Sequence, residues 1–398
     1  MPVQHVASRP ILACGMPFRV TAVTCLVALV AGCAEHASAP QQNSPAIAET
    51  AKIVQVLTPS GDTNDSSSGF TDIRGLGFDA DGHILVADAS TNRVLVFDTL
   101  GNLQYGFGQD GAGPGDLRSP CCIRTADDGH LWVEEDGNRR YSEFVLGDSS
   151  ARYVKSIAMP DGPTGLSTRI SFANGKLLHN GGGGMKSDGS FLIARFMLAP
   201  SGRWDGIDTL EEPSPDSLGA VVSRSGNGIS VFRLPFAPQA LWAFGIGDGY
   251  ASAVSTLYNV SVYGPGHALR WSARRSLSPS ALSDEQRQRA ATIRTAIAKR
   301  HPEVAEKLKI PDARPQIENL CVDLDSNLWI QFASPEPGFR YADIYDSSGH
   351  LTATRSWPDN VELTRCAATG ARALGVSTDS VGLQHVVVLR FAKDTSQP

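Results

Sequence analysis

The stretch Asp79-Ala80-Asp81-Gly82-His83-Ile84-Leu85-Val86-Ala87-Asp88 decides the fold, because it recurs. A second copy reads Ala126-Asp127-Asp128-Gly129-His130-Leu131-Trp132-Val133-Glu134-Glu135. A third is Asp323-Leu324-Asp325-Ser326-Asn327-Leu328-Trp329-Ile330, with Ser-Asn in place of Asp-Gly. Asp-Gly between alternating apolar residues is a strong hairpin signal, and the sequence alone suggests a type I′ turn. The apolar residues on either side repeat every second position, as strands do.

A second hairpin family follows further along each unit. It reads Val96-Phe97-Asp98-Thr99-Leu100-Gly101-Asn102-Leu103, and returns around Gly202, Gly266 and Gly349 and, in diverged form, around Gly147. Each unit is therefore strand, turn, strand, loop, strand, turn, strand, which is one blade of a β-propeller. Counting units places six blades at 72–107, 121–157, 168–210, 239–276, 317–357 and 361–391. The last has room for only three strands. Ile53-Val54-Gln55-Val56-Leu57 offers the fourth, and pairing it there would close the ring and cover an open edge. The expected fold class is all-β, a six-bladed β-propeller over 52–393.

One segment leaves this pattern. Ser283-Asp284-Glu285-Gln286 is a capping box, with acids in the first turn of a helix that runs to about Lys299. Pro302 opens a second short helix carrying Val304 and Leu308. The reading is a helical insertion at 281–310, between blades four and five, packed on a face of the disc and partly capping the channel.

Residues Asp81–Asp88 with Asn92-Arg93-Val94-Leu95-Val96-Phe97, Gly106-Phe107-Gly108, Gly111-Ala112-Gly113-Pro114-Gly115 and Pro120 resemble the NHL-repeat β-propellers. The match covers about residues 72 to 145. Beyond it the chain keeps a blade pattern without that signature, as in six-bladed propeller lipoproteins of bacterial envelopes. Resemblance to propellers implies a binding face where the loops between second and third strands meet the blade-to-blade connections. There the sequence offers Arg140, His179, Gly182, Gly183, Arg340 and Tyr341 as candidate ligand contacts. A run of four glycines, 181–184, lets backbone approach a ligand or expose its N–H groups.

The first residues read as an export signal. Arg9 and Arg19 precede an apolar run, 20–30, that is short for a membrane span and ends in Val30-Ala31-Gly32-Cys33. Those four residues resemble a bacterial lipobox, which implies a lipoprotein signal peptide over 1–33 and lipidation of Cys33. Residues 34–51 are rich in Ala, Pro, Ser and Gln and read as a flexible tether. Lipid would anchor the chain to a membrane on the periplasmic side, and Ala34 after the cysteine favours the outer membrane.

A net charge of −6 and the lack of any basic run exclude a nucleic-acid footprint. Metal-assisted chemistry needs several carboxylate, Asn or His ligands aimed at one point. Most of the nine His instead fall in turns, on the signal or on the tether. No cofactor and no metal site are implied. Of the cysteines beyond Cys33, Cys321 and Cys366 lie in first strands of neighbouring blades, which makes a disulfide between them geometrically open. Cys121 and Cys122 should point to opposite faces of one strand, and all four are expected as buried thiols. The function expected is non-catalytic binding of a protein, peptide or saccharide. The alternatives are a Ca²⁺-dependent hydrolase or lyase and a structural part of an envelope assembly.

Overall fold

A computed structural model describes residues 47–60, 69–160, 169–173, 175–225 and 228–393. The signal sequence, Cys33 and residues 34–46 of the tether lie outside the described residues. The first strand, β1 (Ile47–Leu57), already begins inside the stretch read as tether.

Five sheets of four or more strands follow. The first holds β2 (Ile73–Phe78), β3 (Ile84–Asp88), β4 (Arg93–Phe97) and β5 (Leu103–Phe107). The second holds β6 (Pro120–Thr125), β7 (His130–Glu135), β8 (Arg140–Leu146) and β9 (Ala151–Ala158). The third holds β10 (Arg169–Ala173), β11 (Lys176–Met185), β12 (Phe191–Leu198) and β13 (Trp204–Glu211). A separate two-stranded pair comes next, β14 (Val221–Ser225) and β15 (Gly228–Phe232). The fourth sheet is β16 (Ala240–Ile246), β17 (Gly249–Val254), β18 (Asn259–Tyr263) and β19 (Leu269–Arg274). Helices α1 (Asp284–Ala298) and α2 (Pro302–Ala305) separate it from the rest.

The remaining strands form one eight-stranded sheet. Its first half is β20 (Ile317–Val322), β21 (Leu328–Phe332), β22 (Phe339–Tyr345) and β23 (Leu351–Pro358). Its second half is β24 (Val361–Thr369), β25 (Arg372–Thr378), β26 (Gln384–Lys393) and β1. The antiparallel register of β1 on β26 runs from Glu49↔Lys393 to Leu57↔Val386, so the chain's first strand completes its last four-stranded unit. The start of β1 also pairs in parallel with β23, Ile47↔Ala353 to Thr50↔Ser356, which fuses the two halves.

The first strands of the units, β2, β6, β10, β16, β20 and β24, neighbour one another in cyclic order, with β24 returning to β2. The arrangement is that of a β-propeller. Its core is a set of apolar clusters between neighbouring sheets. Between sheets one and two, Leu85, Val94 and Val96 meet Ile123, Leu131, Val133 and Phe144. Between β20–β23 and the closing unit, Trp329, Ile344 and Trp357 meet Val361, Val387 and Phe391.

The turns differ in detail from the sequence expectation. Gly82 has φ 82° while Asp81 is not left-handed, so the hairpin is a type I turn closed by a left-handed glycine, not type I′. Asp79 fixes it by accepting from the backbone N–H of Asp81 and of His83, at 3.0 and 2.8 Å. Asp98, Asp323, Asp346 and Asp379 do the same in their own turns. The acids flanking the glycines are thus turn supports.

The helices form where the capping box placed them. The Ser283 side chain accepts from Gln286 N–H, and Gln286 reaches back to Ser283 N–H. Their apolar residues, however, do not cap the channel. Ile293, Ile297, Val304 and Leu308 pack with Val221, Phe232 and Leu234 of the β14–β15 excursion. Two insertions cover each other, which satisfies the apolar stripe without the disc.

Candidate functional site

The end of the ring where the first strands begin carries two recesses. The larger, about 440 Å³, is lined by Ile73, Arg74 and Gly75 at the start of β2, by Asp136 of the β7–β8 loop, and by Glu362 and Gln384 of the closing unit. Arg74 pairs with Asp72 at 2.9 Å and approaches Asp136 at 3.8 Å, and the Asp72 hydrogen bond raises its pKa. Gln384 is pinned, because its Oε1 accepts from Ile73 N–H at 2.7 Å.

The smaller recess, about 270 Å³, lies between the third, fourth and fifth units. Asn180, Glu212, Gln239, Trp242, Glu318 and Asn319 supply its polar and aromatic surface. Burial pushes the Glu212 carboxyl up, against the pull of Arg233. Burial also lowers the Arg233 guanidinium, and its buried Nε has no hydrogen-bond partner. The buried Trp242 Nε1 likewise lacks an acceptor. Of these two donors, the one on Trp242 belongs to a residue that lines the recess. Below, Leu76, Cys122, Ile123, Trp242, Phe244 and Val322 line a narrow axial channel with a cavity of about 50 Å³.

The residues singled out from sequence are placed apart from these recesses. Arg140 is committed to the scaffold. Its Nε donates to Glu135 at 2.7 Å, and its other nitrogens donate to the carbonyls of Ala112, Gly113 and Asp116. Glu135, fully buried, also accepts from Asn138 and Ser142, so this pair staples the 111–116 connection to the second sheet. His179 is buried between the second and third sheets, with Nδ1 at 2.6 Å from the Tyr141 hydroxyl and its ring against Phe196 and Trp204. Burial, helped by Arg139, lowers its pKa to about 4, so it is neutral at pH 7. Arg340 donates to the Asp359 carbonyl, and the Tyr341 hydroxyl to Glu336.

The glycine run is not a loop. Residues 181–184 belong to β11, with a register shift between Gly182 and Gly184 against β12. Gly182 has φ 64°, and a Cβ on Gly183 would stand 2.6 Å from the backbone of Leu192. The glycines are explained by this bulge and by close backbone approach. The first glycine of the run, Gly181, lines the smaller recess together with Asn180, while Gly182 and Gly183 are not among its lining residues. Trp242, Glu212 and Gln239 carried no repeat or motif signal; only the folding of separate units around one axis brings them together.

For the cysteines, the disulfide that the sequence left open is present, while the expected opposite facing of Cys121 and Cys122 is not. Cys321 and Cys366 are joined by a disulfide between β20 and β24, with Cα atoms 5.8 Å apart. Cys121 and Cys122 share one side of β6, with sulfurs 2.8 Å apart, because Cys122 takes a left-handed φ of 46° at a bulge. Among the described residues, two groups of three side chains have the proximity to hold a metal ion. One is Asp79, Asp81 and His83, where the Asp79 carboxylate already accepts from two backbone amides and faces His83 Nδ1. The other is Cys121, Cys122 and Glu134.

No protein-family model matches this chain, and no curated protein sequence does. Solved structures do. A protein of Bacteroides fragilis NCTC 9343 named as exported is 11% identical, with 86% of this chain and 96% of that one covered and a TM-score of 0.46. A luciferin-regenerating enzyme is 12% identical over 84% and 94% of the two chains, with a TM-score of 0.43. The PQQ-bound aldose sugar dehydrogenase of Streptomyces coelicolor is 12% identical over 88% and 100%, with a TM-score of 0.43. Among the described residues, no helix is long and apolar enough to cross a membrane.

Proposed function

We propose that this chain is a six-bladed propeller, lipid-anchored through Cys33 at the outer membrane, that binds a saccharide at the open end of its ring. The observation that carries the reading is the smaller recess. It sets one indole, Trp242, beside three amides and two carboxylates, Asn180, Gln239, Asn319, Glu212 and Glu318. Amides and carboxylates exchange hydrogen bonds with hydroxyl groups, while an indole covers the apolar face of a sugar ring. The recess sits at the mouth of a rigid ring, where a binding surface needs little ordering on contact. Cys33, the short apolar run before it and the tether composition support anchoring.

A glycan array probed with the full chain tests this. Captured oligosaccharides should bind Trp242→Ala and Glu212→Gln at least ten-fold more weakly, a loss of about 1.4 kcal/mol. Equal binding by both variants would remove the recess from consideration. Stoichiometric Ca²⁺ in the purified protein, required for turnover of the captured glycan, would replace binding by hydrolase or lyase chemistry.

A further inference from the structure

Cys121 and Cys122 are adjacent in β6, with Cys122 at the wall of the axial channel. Neighbouring strand residues ordinarily point to opposite faces. In β6 the register against β7 shifts between Cys121 and Ile123, and Cys122 adopts φ 46°. A left-handed conformation at a residue other than glycine is disfavoured, and it persists only where the surroundings hold it. The result brings both sulfurs to one side, 2.8 Å apart, with Cys121 3% and Cys122 9% exposed.

Directly across the ladder from Cys121 is Glu134, which is fully buried. The two sulfurs and a Glu134 carboxylate oxygen lie within 4.8 Å of one another. Trp132, Tyr141 and Ile170 pack around them and keep bulk water away. Two sulfurs and a carboxylate oxygen converging on one point supply the ligand types and the proximity that a metal ion needs. Two sulfurs select a soft ion over Ca²⁺ or Mg²⁺, whose ligands are oxygens. Cys122 also lines the axial cavity of about 50 Å³, which offers a route of entry.

We infer that Cys121, Cys122 and Glu134 form a site for a thiophilic metal ion of the Zn²⁺, Cd²⁺ or Cu⁺ type. For a divalent ion, two S–H bonds ionise, two metal–sulfur bonds form and two protons leave to solvent, with no change of oxidation state. Metal–sulfur bonds of about 2.3 Å in a tetrahedral site put the sulfurs about 3.7 Å apart, so the pair opens by roughly 1 Å, within reach of side-chain rotation. Cys321 lines the same channel, but its sulfur is bonded to Cys366 and is not offered to an ion.

The full chain, purified anaerobically without reductant so that the Cys321–Cys366 bond is kept, is titrated with Cd²⁺. One equivalent should bind and give an ultraviolet sulfur-to-cadmium charge-transfer band. Cys121→Ser and Cys122→Ser should each lose the band, and Glu134→Gln should keep it with at least ten-fold weaker binding. Should a variant fail to fold, the unmutated chain still decides, because bound Cd²⁺ must protect both thiols from iodoacetamide. A band that survives either cysteine variant overturns the site. So does equal alkylation with and without Cd²⁺, or peptide mapping that finds Cys121 joined to Cys122.

Discussion

The two sides of the ring are held together by different physics. Where the first and second sheets meet, the interface is aliphatic and aromatic, built from Leu85, Val94, Val96, Ile123, Leu131, Val133 and Phe144. Where the third and fourth meet, the buried apolar cluster among the described residues is Ile193, Leu210, Phe244 and Tyr250. The space is shared with Arg195, 3% exposed, whose guanidinium lies over the rings of Phe244 and Tyr250 and pairs with Asp208 at 3.0 Å. The first interface gains from surface removed from water and tolerates little loss of volume. The second depends on a buried charge staying compensated. Repeat units can thus share one strand topology while diverging in what joins them.

Truncating each interface sharpens this contrast. Phe144→Ala removes a fully packed ring and should lower unfolding free energy by about 4 kcal/mol, measured by denaturant titration. Arg195→Met strands Asp208 and should cost about 3 kcal/mol, while Asp208→Asn added to it should return part of that loss. A double variant no more stable than the single would break the charge-compensation account.

The second–third interface adds a pH-dependent element. His179 has its pKa lowered to about 4 by burial, against an ordinary value near 6.5. Between those values the unfolded chain binds the extra proton, so stability is whole above pH 6.5 and falls as pH drops towards 4. The full effect is at most about 3 kcal/mol. His179→Phe should flatten that part of the stability profile, and an unchanged profile would reject the assignment. Smaller still, Gly183→Ala should cost about 2 kcal/mol by pressing a methyl onto Leu192, a steric penalty readable as a lowered Tm.

The repeat with the aspartate-supported turns was legible from residue types, because a turn is closed by atoms within five residues of each other. The same locality made the Ser283–Gln286 cap readable, and period-two apolarity with an unfilled edge pointed to Ile53–Leu57 as the closing strand. The recess was not legible. Arg140 and His179 looked available for a ligand only because their partners, Glu135 with the 111–116 connection and Tyr141 with Trp204, cannot be seen in a linear reading.

By itself the sequence determined the strand units, the places of their turns, the two helices and the way the first strand serves the last unit. Each of these follows from contacts short in sequence or from a hydrophobic period. Tertiary structure alone decided that Cys121 and Cys122 face one way, that Cys321 reaches Cys366, and that Trp242 meets Glu212 and Glu318. Those outcomes depend on bulges and on the rotation of one sheet against the next. A shift of one residue in register turns a side chain to the opposite face, and no local preference of the chain fixes that shift.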